Sequence, residues 1–378
     1  MLTSLALIFI VGLAMGAICQ RLKLPRIIGM LATGIVLGPY VLDLLDPSIL
    51  SISADLRKIA LIIILIKAGL SLDLKDLKKS GRSAVLLSFV PASFEIIGYI
   101  LCAPVILGIN RTEAAVMGAV LGAVSPAVVV PRMVNLIEKK YGTDKAIPQM
   151  ILAGASCDDI FVIVLFTTFL SMAQGGSAHV MDFVNIPISI VLGVLLGVDV
   201  GYGLYLFFET SYARKHCVRN SMKVIIVLGF SFLLIAIEGW LEGKVSVSGR
   251  LSQKFGKLWL AAEVILFVLV GAAVDIRYTL TAGLPALLMI FVALAFRTVG
   301  VLICVAHTSL TWKERLFCVI AYLPKATVQA AIGSVPLAAG LACGNIVLSV
   351  AVLAIVVTAP LGAIGIDGTY KHLLSEDK

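Results

Sequence analysis

The sequence predicts an all-α protein that threads a membrane many times, and three observations predict it. Charged residues make up only 14% of the 378, against about 25% in soluble domains, while the AVILMFWYC set reaches 60%. The apolar residues fall into runs close to the ~20 residues that a helix needs to cross a hydrocarbon core. The 30 Lys and Arg gather in clusters between those runs, so the net charge of +8 reads as topology-setting loop charge and not as a nucleic-acid footprint. With 33 Gly against 3 Trp, the helices are expected to pack closely through small residues.

In order, the runs predict helices at 2–19, 25–42, 57–73, 83–108, 113–136, 147–171, 184–208, 220–239, 257–275, 281–306, 314–339 and 344–366. The first is a retained span with its N-terminus outside and no secretory signal, because no basic residue precedes it and Arg21, Lys23 and Arg26 follow. Alternation continues with Asp43, Asp46 and Asp55 outside, then Lys75, Lys78, Lys79 and Arg82 inside. Arg132, Lys139, Lys140 and Lys145 fall inside, a loop near Gly175 without Lys or Arg outside, and Arg214, Lys215, Arg219 and Lys223 inside. After Trp240 the alternation fails, since Lys244, Arg250, Lys254 and Lys257 land on the outer side. One crossing is missing near residue 250, and GKVSVSGRLSQKF is too polar and short to supply it. Compact loops and the absence of a soluble tail point to a bacterial inner membrane.

An internal repeat is visible. AGLSLDLKDL, with Asp73, resembles GAAVDIRYTL, with Asp275; AVSPAVVVP, with Pro126, resembles YLPKATVQA, with Pro324. The expected organisation is a first repeat of six helices over 1–173, a linker helix at 184–208, and a second repeat over 220–366 that lacks one helix. An odd number of helices between equivalents inverts the second repeat. With one helix absent the count becomes even, and the two proline-containing helices are expected to run parallel.

Charges inside the runs carry the chemistry, because an ionisable side chain at mid-helix costs ~2.5–3.5 kcal/mol. Asp158 and Asp159 sit near the middle of ILAGASCDDIFVIVLF, and two adjacent carboxylates there require a cation or a partner. They point about 100° apart on a helix, so one can face an aqueous cavity while the other reaches a neighbour. Lys325, directly after Pro324, wants a carboxylate, and either aspartate is a candidate. Pro126 and Pro324 are expected to break their helices near mid-membrane, where freed carbonyls can orient ions, and Ser125 adds a hydroxyl. Glu95 and Arg297 occupy equivalent repeat positions and suggest a buried ion pair, structural or proton-coupled. Lys67, Glu263, Asp73 and Asp275 sit nearer helix ends, where snorkelling or capping explains them. The seven cysteines never form CxxC and read as small core residues; no nucleotide loop, nucleophile elbow or metal-ligand spacing appears. The expectation is neither an enzyme nor a cofactor protein.

At GASCDD, SPAVVVPRM and LPKATVQAAIG the sequence resembles the monovalent cation/proton antiporter superfamily, most closely its NHA-type sodium/proton antiporters, over nearly the whole chain. The resemblance implies the inverted-repeat antiporter fold, with two unwound helices crossing beside the aspartates. It implies a core domain, about 57–171 and 257–366, moving against a dimerisation domain in a homodimer. By motif, Asp159 looks like the principal cation and proton carboxylate, and Asp158 like its neighbour paired with Lys325. Ser125 and the backbone near Pro126 look like crossover contributions, and Glu95 with Arg297 resembles the family's core ion pair. The implied mechanism is competition: sodium or lithium and protons exclude one another at the carboxylates, and alternating exposure turns competition into exchange. Such exchange serves pH homeostasis, and two aspartates plus a lysine resemble its electrogenic form. The family normally carries another helix after VSVSG, again placing the deficit near Gly249. Two other classes fit parts of the sequence: a sodium-coupled solute symporter of related architecture, and a transport-dead protein lacking one span.

Overall fold

The computed structural model describes residues 1–22, 24–71, 74–175, 195, 198–210, 225–232 and 252–376. In chain order these form α1 (Leu2–Arg21), α2 (Arg26–Leu37), α3 (Pro47–Ser51), α4 (Ser53–Ser71), α5 (Leu74–Leu87), α6 (Val90–Leu107), α7 (Arg111–Leu121), α8 (Pro126–Glu138) and α9 (Ile147–Ala173). The helical stretches 198–210 and 225–232 are α10 and α11. Then come α12 (Ser252–Ala272), α13 (Ile276–Val305), α14 (Trp312–Ala321), α15 (Thr327–Ile332), α16 (Val335–Ala338) and α17 (Gly344–Leu373). Among the described residues no β-strand forms, only an isolated bridge between Tyr141 and Glu376.

Six of the described helical segments are long and apolar enough to cross a membrane: Leu2–Arg21, Gly81–Leu107, Arg111–Glu138, Ile147–Ala173, Ala282–Val305 and Gly344–Leu373. The chain divides into two units. One comprises Met1–Lys58, Leu72–Gly176 and Val264–Lys378; the other comprises Ile59–Ser71 and Ser177–Glu263. In the smaller unit, Ile62 and Ile66 of α4 pack against Val227, Leu228 and Phe232 of α11. In the larger, α2 and α12 touch backbone to backbone: a Cβ on Gly34 would run into the Val268 carbonyl oxygen, and one on Gly271 into that of Leu31. The small residues thus serve the close packing expected of them.

Local chemistry sets the helix ends. The expected 25–42 helix stops at Leu37, because Pro39 forces Gly38 into an extended conformation with ψ 174°. The expected 83–108 helix is interrupted by a turn at Ser88–Phe89, just ahead of Pro91, whose ring cannot sit in a helix interior. Asn110 with Glu113, and Thr311 with Glu314, make capping boxes that start α7 and α14. Asp275 caps α13 by accepting from the backbone N–H groups of Arg277 and Tyr278. Glu263, expected near a helix end, instead lies buried in the body of α12. Asp73, the side chain of Lys67, and the stretch around Gly249 where a crossing is missing lie outside the described residues; from Ser252 the chain is helical.

One expectation is reversed. The loop after α8 carries Lys145, whose Nζ bonds both carboxylate oxygens of Glu314 at 2.9 Å in the first turn of α14. Helix α14 therefore starts at the face where α8 ends, and the two broken helices run antiparallel, not parallel. The number of apolar runs does not fix the direction of a later helix; a bond between two helix ends does. The end of α17 meets the same loop: Tyr141 Oη donates to Glu376 at 2.9 Å, and Gly142 N–H donates to the Ser375 carbonyl at 2.8 Å.

Candidate ion-binding site

Two helices lose their continuity in the middle of the larger unit. Between α7 and α8 the chain is non-helical over 122–125, and Ser125 is extended (φ −87°, ψ 110°) because Pro126 follows it. Between α14 and α15 it is non-helical over 322–326, around Pro324. The breaks meet: Ser125 N–H donates to the Pro324 carbonyl at 2.8 Å. Room for Pro324 comes from Gly362 of α17, where a Cβ would collide with the proline ring.

Five buried charged residues gather at this crossing: Glu95, Asp158, Asp159, Arg297 and Lys325, each no more than 1% exposed. Arg297, on α13, is the hub. Its Nη1 donates to Glu95 at 2.7 Å, its Nη2 to Asp158 at 3.1 Å, and its Nε to the Tyr322 carbonyl at 2.7 Å. A further bond runs from Nη1 to the Gly122 carbonyl, and the guanidinium lies 5.5 Å from the centre of the Tyr322 ring. One cation thus ties two carboxylates to carbonyls at both breaks, which suits the planar fork of arginine and no other side chain. It also places positive charge at the C-terminal ends of two half-helices, where the peptide dipoles favour it.

The pairing differs from the one expected. Lys325 Nζ bonds Glu95 at 2.6 Å, and Asp158 goes to Arg297, so lysine and Asp158 are not partners. The reason is steric order: Glu95 on α6 lies between the two cations and accepts from both on the same oxygen, Oε2. The Glu95–Arg297 pair is present as an ion pair with both side chains buried. Asp158 takes a second bond at 2.7 Å from the N–H of Val124, inside the first break. At the second break, Lys325 N–H donates to Thr358 Oγ1 at 2.9 Å.

Three carboxylates face two cations here. Asp159, next to Asp158 on α9, is the carboxylate that no cation among the described residues pairs with. Its Oδ1, with Asp158 Oδ1, Ser125 Oγ and Thr327 Oγ1, is buried without a hydrogen-bond partner. Oxygen donors of this kind suit a small hard cation or a proton better than a soft metal. Sequence reasoning missed Val124, Thr358, Tyr322 and Gln329. The first acts through its backbone and leaves no side-chain signal; polar residues at helical spacing from Lys325 would have pointed to Gln329.

The chain matches the "Sodium/hydrogen exchanger, transmembrane" family over residues 5–370. It belongs to that family. "Sodium/hydrogen exchanger 9B2" of Xenopus tropicalis is 33% identical across 99% of this chain and 75% of its own length. The human protein of the same name is 35% identical across 90% and 68%. The frog alignment runs over 410 positions against 378 residues, so at least 32 positions of that relative have no counterpart here, more than the ~20 of one span. Among solved structures, the sodium proton antiporter MjNhaP1 of Methanocaldococcus jannaschii superposes with a TM-score of 0.77 at 18% identity, covering 98% of each chain. The fold is therefore that of the cation/proton antiporters, with two crossed discontinuous helices.

Proposed function

We propose that this exchanger exchanges sodium or lithium for protons by competition at Asp158 and Asp159. The observation that carries the reading is the charge balance at the crossing, where three buried carboxylates face two buried cations. The remaining negative charge needs a partner in so apolar a setting, and a monovalent cation or a proton supplies it equally well. Asp159, which pairs with neither Arg297 nor Lys325, is the principal carboxylate. When sodium binds, Asp159 releases its proton; when the proton returns, sodium leaves. Asp158 and the hydroxyl of Ser125 complete the oxygen set, and Arg297 with Lys325 offsets the charges of Glu95 and Asp158, which leaves that of Asp159 to the cation or the proton. The relatives' names speak of sodium/hydrogen exchange and support the same chemistry.

Alternating exposure follows from a core of about 57–171 and 257–366 moving in a homodimer, with repeats over 1–173 and 220–366 and a linker at 184–208. The chain sits in the cell membrane, the inner membrane of a bacterium, with its N-terminus outside. The face carrying Lys139, Lys140, Lys145, Lys313, Arg315 and Lys371 is then cytoplasmic, as the positive-inside rule asks. The test is sodium-dependent proton release from everted vesicles. Wild type is expected to respond and Asp159→Asn to be silent; unchanged exchange in that variant would sink the site assignment.

A further inference from the structure

One side chain at the crossing has no charge and yet reaches the ion site through a single peptide group. Gln329, on α15, is fully buried. Its Nε2 donates to the Ala123 carbonyl at 2.9 Å and, more weakly, to the Leu121 carbonyl at 3.4 Å. Its Oε1 has no partner. The reverse amide orientation would set an oxygen against two carbonyl oxygens, so the donor side must face the break. The Ala123 carbonyl and the Val124 N–H belong to one peptide unit, and that N–H is the one that bonds Asp158 Oδ2 at 2.7 Å. Gln329, peptide 123–124 and Asp158 therefore form a chain of hydrogen bonds running from the second broken helix, across the first, to α9.

We infer that Gln329 is a positioning residue that holds peptide 123–124 so that its N–H stays aimed at Asp158 and fixes that carboxylate in place, and so sets the affinity of the site for sodium. This rests on the exchange reading above. A peptide whose carbonyl accepts a hydrogen bond is polarised and donates more strongly through its N–H. It also cannot rotate, so the N–H stays aimed at the carboxylate. The other groups facing Asp158 are Asp159 and Cys157 on its own helix, Arg297 on α13 with the Tyr322 ring beneath it, and Lys325 with Glu95 of α6; none of them contacts the Gln329 donors. The arrangement differs at the second break, where Lys325 N–H is held by Thr358.

The experiment compares wild type, Gln329→Met and Gln329→Asn in proteoliposomes, measuring sodium-driven proton movement at one alkaline pH over a range of sodium concentrations. Gln329→Met keeps the volume and removes the donors. Its sodium KM is expected to rise about tenfold, the equivalent of one buried hydrogen bond. The maximal rate at saturating sodium is expected to stay within about twofold. Gln329→Asn, one methylene too short to reach both carbonyls, should shift the same way by less, and serves alone if the Met variant does not reach the membrane. A merely structural role would lower the maximal rate and leave KM in place, and that result would overturn the inference. A wild type without any sodium-driven proton signal would overturn the exchange reading itself, which separates the two failures.

Discussion

At the first break the N–H of Val124 is held by Asp158 of α9; at the second the N–H of Lys325 is held by Thr358 of α17. In both, a proline interrupts the helix and Arg297 takes a carbonyl, from Gly122 on one side and Tyr322 on the other. The architecture is shared, but the charges are divided. Glu95, Asp158 and Asp159 come from the first half of the chain, Arg297 and Lys325 from the second. Fold and charge are thus separable: two crossed broken helices need only backbone satisfaction, which a threonine provides as well as an aspartate, while binding needs a surplus carboxylate on one side.

The comparison can be broken by substitution, and the expected effects fall in a clear order. Arg297→Met should cost the most, about 3–5 kcal/mol, because it strands two carboxylates and frees a carbonyl at each break. Thermal unfolding in detergent micelles measures it. Asp158→Asn should cost about 1–3 kcal/mol, since a charged acceptor loses Arg297 and weakens its hold on Val124. Thr358→Val, the matching change at the second break, should cost only about 0.5–1.5 kcal/mol, because a neutral acceptor is lost. Equal costs for these two would contradict the division of charge between the breaks. Asp159→Asn should leave the melting temperature unchanged or raise it while abolishing exchange.

Ion pairs at the loop face make a smaller contrast. Arg132 bonds Asp367 at 3.1 Å, but the aspartate side chain is 58% exposed, so Arg132→Ala should cost under about 1 kcal/mol, and less in high salt. The smallest effect concerns Asp46, which caps α3. The Ser48 hydroxyl, the Ser48 N–H and the N-terminal ammonium hold its carboxyl down at about 2. A lowered folded value means its contribution is present above the ordinary carboxylate range and fades as the pH falls toward 2. Carboxyl titration by NMR checks this, and Ser48→Ala should move the midpoint up.

Much of the site is legible in the amino-acid sequence alone. Charges in an apolar run are costly, so Glu95, Asp158, Asp159, Arg297 and Lys325 stand out one by one, and the two prolines mark the breaks. Their pairing is not legible. Whether Lys325 meets Asp158 or Glu95 depends on which side chain lies between helices more than 130 residues apart in sequence. The direction of α14 is lost for a related reason, since counting runs through the stretch near Gly249 gives the wrong parity, whereas the Lys145–Glu314 bond gives it directly. Gln329 and Thr358 escape because a neutral amide or hydroxyl in an apolar helix is cheap enough to pass as packing.

The central claim is that sodium and protons compete for one buried carboxylate site. The most direct measurement is the apparent sodium KM of the purified protein in proteoliposomes as a function of pH. Competition by one proton predicts a KM that falls about tenfold for each unit of rising pH on the acid side and then levels off, with no exchange in Asp159→Asn. A sodium KM that does not change with pH would contradict the account.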